Sequence, residues 1–299
     1  MRAAPIVLSL FLLLWFVAPP GAEASGEAQT SEDVTTLEAT ARVEALTKLL
    51  RTSRSKTIDV VAALDEVAEA YESAGEDARA RSAYRKRAEA QFLRALGRWK
   101  SPRGKDAKGN LHAKVAVHAA KILGDVAAHL DAKERKALSA RVRKVIDNDL
   151  FARRIKQGMS QEQLEATFAA VGRIGDPSSL AWYEKHHMRT SAVQLPVLIA
   201  AHKSLGLFVD VPGRWRHAMV KALTKNYASV EAQAEQGNTV AERSAKRFWD
   251  ELKLHTIPAL QQFAGKPTNE EGEALATVGA FREWFRARKN ANRAPWLDA

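Results

Sequence analysis

Phe168-Ala169-Ala170-Val171-Gly172-Arg173-Ile174-Gly175-Asp176-Pro177 is the stretch from which the fold is read. An apolar run ends at Ile174. Gly175 supplies a left-handed stop, Asp176 caps the next helix, and Pro177 suits its first turn. Working outward, Leu123-Gly124 and Leu205-Gly206 repeat the ending of Ile174-Gly175. Five residues before each glycine stands an alanine: Ala119, Ala170 or Ala201. Seven before stands Val117, Phe168 or Ile199, and eleven before stands Ala113, Leu164 or Leu195. These offsets gather apolar groups on one face of an α-helix. The spacing predicts three glycine-closed helices between Leu111 and Phe208, 51 and then 31 residues apart, as in a helical repeat protein.

The rest of the 299 residues agrees with an all-α chain. Apolar residues make up 46%, too many for a disordered polymer. Ala, Leu, Glu, Lys and Arg dominate, which favours helix, and no alternating β-branched run marks a strand. Cysteine is absent, which excludes disulfides, thiolate metal sites and a cysteine nucleophile. At the N-terminus Arg2 precedes the apolar run Ile6–Val17, then Pro19-Pro20-Gly21 and Ala22-Glu23-Ala24. That order predicts a signal peptide over residues 1–24, cleaved after Ala24. The mature chain is then expected to be exported, periplasmic or extracellular, with no transmembrane segment left.

Residues 25–33 are small and polar and predict a flexible mature N-terminus. Helical hairpins are expected over 34–99, the first helix running from about Val34 to Arg51. Leu64, Val67, Tyr71, Gly75, Ala80 and Tyr84 resemble the spacing of a tetratricopeptide repeat. The resemblance implies two antiparallel helices with aromatics filling the gap. A basic linker follows over 100–110. Over 111–210, Phe168–Pro177 resembles the helix–turn–helix junction of HEAT-type repeats, and Ala119–Asp125 and Ala200–Gly206 repeat parts of it. The resemblance implies an α-α superhelix, a solenoid of antiparallel helical pairs. Asp131-x-x-Glu134, Ser160-x-x-Gln163 and Thr239-x-x-Glu242 have capping-box spacing, and Thr268–Glu271 is expected to cap the last helix. Residues 211–299, rich in aromatics, are expected to close the stack. Pro258 is expected to kink or end its helix.

Net charge is +11 and uneven. Gly26–Asp77 holds 5 basic and 12 acidic residues, whereas Arg79–Lys108 holds 11 and 2. Arg79, Arg85, Lys86, Arg94, Arg98, Lys100 and Arg103 are therefore the candidate anion-binding residues. The opposite reading is that the acidic helices cover the basic one.

Catalytic patterns are missing. Ser53-Arg54-Ser55-Lys56 matches a bare S-x-x-K, but its S-D-N and K-T-G companions are absent. No G-x-S-x-G, Walker loop or H-E-x-x-H occurs, and Gly172 and Gly175 read as repeat punctuation. His186 and His187 are neighbours and point apart on a helix. No metal site, cofactor or catalysis is expected. Tyr84, Phe92 and Trp99 lie at helix-core spacing, so nucleic acid is not the expected partner. The expectation is a scaffold binding another protein or an anionic envelope polymer. The alternatives are an enzyme with its site on a concave face, or a structural envelope component.

Overall fold

The computed structural model describes residues 26–52, 55–74, 77–97, 109–147, 159–188, 194–236 and 239–288. The expected signal peptide, Gly75 and most of the expected linker lie outside them. The described residues form eleven helices: α1 (Gly26–Arg51), α2 (Thr57–Ser73), α3 (Ala78–Leu96), α4 (Gly109–Ala127), α5 (Ala132–Asp147), α6 (Gln161–Ile174), α7 (Ser179–His186), α8 (Leu195–Leu205), α9 (Gly213–Gln236), α10 (Val240–Ala264) and α11 (Val278–Arg288). No strand occurs among the described residues, only an isolated bridge between Thr268 and Ala274. The chain is all-α. Among the described residues no helix is long and apolar enough to cross a membrane. The first helix starts at Gly26, so it includes residues expected to be irregular.

α1 packs on α2 and α3, and both of these pack on α4. Tyr71 and Phe92 fill the α2–α3 gap with ring centroids 6.5 Å apart. The Tyr84 hydroxyl donates to the Val67 carbonyl across it at 2.9 Å. Beyond this hairpin the packing runs between alternate helices. α4 lies on α6, α6 on α8, and α8 on α10, while α5 packs on α6, α7 meets α9, and α9 packs on α10 and α11.

Two glycines inside helices allow the close approach. A methyl group at Gly172 of α6 would lie 2.3 Å from the Ser204 carbonyl oxygen of α8. One at Gly124 of α4 would lie 2.7 Å from Cβ of Arg173 on α6. This corrects two sequence expectations: Gly124 does not stop its helix, which continues to Ala127, and Gly172 is a packing position. Gly206 follows α8 with a right-handed φ of −65°. The ends of α4 and α8 are instead tightened by three-residue turns: Leu130 N–H donates to Ala127 O, and Phe208 N–H to Leu205 O, both at 3.2 Å. Gly175 alone of the three takes the expected left-handed form, at φ 69°.

The capping sequences act as their chemistry suggests. Asp131 accepts from Glu134 N–H at 2.7 Å, and Glu134 accepts from Asp131 N–H at 3.2 Å. Ser160 accepts from Gln163 N–H, and Thr239 and Glu242 form a complete capping box. The last helix differs from expectation. Asn269 accepts from Glu271 N–H and Glu273 N–H and closes a loop, and Leu275 precedes the helix. The cap has two parts: Thr277 accepts from Ala280 N–H at 3.1 Å, and Glu231 of α9 accepts from Val278 N–H at 3.0 Å and Gly279 N–H at 2.7 Å. Its buried carboxylate also meets the positive end of the helix dipole. Pro258 does not end α10, which runs on to Ala264. The carbonyl it leaves without an intrahelical donor belongs to Leu254, an exposed residue.

Candidate anion-binding surface

α3 begins where Asp77 accepts from Arg79 N–H at 2.8 Å. Tyr84, Ala88, Phe92, Ala95 and Leu96 are buried, which turns the opposite face outward. Arg79, Lys86, Arg87 and Arg94 are exposed there, separated by the short exposed side chains of Ser82, Ala83 and Ala90. Offsets of seven and eight residues from Arg79 to Lys86 to Arg94 keep these cations on one stripe. None of the four forms an ion pair among the described residues.

Arg85 does not join them. Its guanidinium lies 5.1 Å from the centre of the Tyr71 ring, a cation–π contact on the inner side. Arg98, Lys100 and Arg103 lie outside the described residues. Three of the seven candidates, Arg79, Lys86 and Arg94, thus share a face, and Arg87 joins them.

The inner side of α3 carries its own charge arrangement. Glu89 is 5% exposed. It accepts from the Tyr71 hydroxyl at 2.7 Å and from the Arg141 guanidinium of α5. Burial, and then the bond to Glu89, push the Tyr71 phenol far above its ordinary range. Burial raises Tyr84 to about 12, partly offset by the Arg42 charge. A charge compensated inside leaves the outer face with cations alone.

Two acids of α2 turn elsewhere. Asp65 meets Nε2 of His118 at 2.6 Å, and Glu72 meets His129. Both histidines belong to α4 or the turn after it. Among the described residues, these acidic groups therefore lean on α4 and leave the basic stripe of α3 uncovered.

The remaining buried histidines are packing and hydrogen-bonding elements. His202 is 1% exposed, with Nε2 2.9 Å from the Tyr227 hydroxyl and Nδ1 2.8 Å from Thr256 Oγ1. This network ties α8 to α9 and α10. His187 lies among Phe168, Trp182 and Tyr183. Burial lowers both imidazoles to about 3, with smaller contributions from His255 and His186 respectively. Among the described residues no three His, Asp or Glu side chains are grouped to hold a metal.

Sequence reasoning missed Glu89 and Arg141. The available signal was an acid inside a basic run, one residue after Ala88 and three before Phe92, on the buried stripe. No protein-family model matches the chain, and no curated protein or solved structure does.

Proposed function

We propose that this chain is an exported, non-catalytic α-helical scaffold that binds an anionic partner through the outer face of α3. The reading takes residues 1–24 as a cleaved signal peptide. It takes the helical row as an α-α superhelix of HEAT-type pairs, opened by a tetratricopeptide-like hairpin. The next-but-one packing of α4, α6, α8 and α10 supports the superhelix.

The observation that carries the binding role is the stripe Arg79–Lys86–Arg87–Arg94, exposed over short side chains and without ion pairs among the described residues. Cations arranged this way attract a surface with repeated negative charge, such as an acidic protein face or an anionic envelope polymer. The mature chain, begun at Ser25, is expected to be retained on dextran sulfate and to pass through uncharged dextran. Retention falls as salt rises, because the screening length shortens to about 8 Å near physiological ionic strength. Equal passage through both resins at low salt refutes the proposal. Polyglutamate, tested as competitor, reports whether an acidic polypeptide satisfies the same surface.

A further inference from the structure

The connections at one end of the helical row enclose a recess of about 510 Å³. Three equivalent turns build it: the one from α4 to α5, the one from α6 to α7, and the one from α8 to α9. Its apolar lining includes Ala127, Ala128, Ile174, Pro177, Val209 and Pro212. Arg135, in the first turns of α5, and Arg173, in the last turn of α6, line the same recess.

Arg173 is seated by the glycine opposite. A methyl at Gly124 would lie 2.7 Å from Arg173 Cβ, 3.2 Å from Cδ and 3.3 Å from Cγ. Helix interiors prefer alanine to glycine, so α4 gives up stability to make room for this side chain. Arg135 and Arg173 form neither an ion pair nor a side-chain hydrogen bond among the described residues.

Two acids also line the recess, and neither forms an ion pair with Arg135 or Arg173 among the described residues. Asp176 is buried, and its carboxylate accepts from Ser178 N–H at 3.2 Å, Ser178 Oγ at 2.6 Å and Ser179 Oγ at 3.3 Å. Asp210 is exposed, on a backbone at φ 52°. The recess therefore offers an apolar wall and two arginines that no carboxylate pairs with directly among the described residues.

Guanidinium groups match carboxylates through paired hydrogen bonds. The volume falls in the range of small-ligand sites. We infer that this recess binds a small organic carboxylate, with the acid group held by Arg135 and Arg173 and a short hydrocarbon body on the alanine and proline wall. The site is separate from the α3 stripe and does not depend on it.

Calorimetric titration of the mature chain with hexanoate tests this. Saturable binding is expected, with acetate and hexanol each weaker by about tenfold or more, since each lacks one half of the match. Arg173→Gln and Arg135→Gln are each expected to weaken hexanoate binding about tenfold or more. Ala128→Trp fills the recess and removes binding while leaving both arginines in place, so the test survives if an arginine variant folds poorly. Arg79→Gln with Lys86→Gln leaves hexanoate binding unchanged. Absence of saturable hexanoate binding overturns the inference, as does binding that survives both Arg173→Gln and Ala128→Trp. Saturation by hexyl phosphate with hexanoate silent overturns the carboxylate assignment.

Discussion

Replacing His187 by Phe separates burial from charge in the α5–α7 region. The His187 ring lies 5.0 Å from Phe168 and 4.2 Å from Trp182, centroid to centroid. Its Nε2 is buried and makes no hydrogen bond among the described residues. The nearest acid, Asp147, stands 4.0 Å away, too far for a hydrogen bond. Both Asp147 carboxylate oxygens instead accept from Trp182 Nε1, at 2.9 and 3.0 Å. His186 is the other titratable neighbour, and its charge opposes protonation of His187. The folded pKa of about 3 lies below the ordinary 6.5. The folded chain therefore binds fewer protons than the unfolded chain between those values. Stability from this group is complete above pH 6.5 and is lost as pH falls toward 3. Within that window each tenfold rise in proton concentration costs about 1.4 kcal/mol, so between pH 8 and pH 5 the loss is about 2 kcal/mol. Phe keeps the ring packing and cannot titrate. At pH 8 the variant is expected to lie within about 1 kcal/mol of the parent, because a lost unsatisfied nitrogen offsets a slightly larger ring. At pH 5 it is expected to gain about 2 kcal/mol on the parent relative to pH 8. Urea unfolding of both proteins at the two pH values measures this difference directly. A difference that does not change with pH refutes the reasoning. A variant that loses ground at pH 5 shows that Asp147 supports a charged His187.

Other substitutions probe the packing and the caps. Gly175→Val forces a β-branched residue into φ 69° and is expected to cost about 1 kcal/mol or more; an unchanged denaturation midpoint removes Gly175 as a helix terminator. Gly172→Ala drives a methyl toward the Ser204 carbonyl and is expected to cost about 1–3 kcal/mol by overpacking, read as a lower urea midpoint. Glu231→Ala leaves the Val278 and Gly279 amides of α11 without their acceptor, while Thr277 still holds Ala280 N–H, and is expected to cost about 1–2 kcal/mol. Early exchange of the Val278 and Gly279 amides is its signature, and unchanged protection there contradicts the capping role. N-terminal sequencing of exported protein is expected to begin at Ser25, and retention of Ile6–Val17 in a membrane fraction overturns the signal assignment.

The helical class was legible because it rests on local chemistry. Asp131 with Glu134, and Thr239 with Glu242, close bonds within three residues, so spacing reveals them. Gly175 was legible for the same reason, since a left-handed stop followed by Asp and Pro is a local pattern. Gly124 and Gly172 look like Gly175 in one dimension. Their role depends on Arg173 and Ser204, which only packing brings near. The Glu231 part of the α11 cap was hidden because Glu231 lies 47 residues before Val278. In the basic segment, the excess of Arg and Lys was readable, and its division between two faces followed only in part. Helical spacing places Arg79, Lys86 and Arg94 together. The inward turn of Arg85 requires Tyr71, and the burial of Glu89 requires Arg141 from α5.

The most direct test of the binding role is charge reversal of the α3 stripe by Arg79→Glu, Lys86→Glu and Arg94→Glu together, with dextran sulfate binding and the unfolding midpoint measured on the same samples. These three side chains are exposed and pair with no acid among the described residues. Binding is expected to be lost, and the midpoint to stay within the change of about 0.5 kcal/mol per site usual for surface substitutions. A variant that unfolds early while any folded fraction still binds the polymer contradicts that role, because the stripe would then be an internal contact and not the surface that meets a partner.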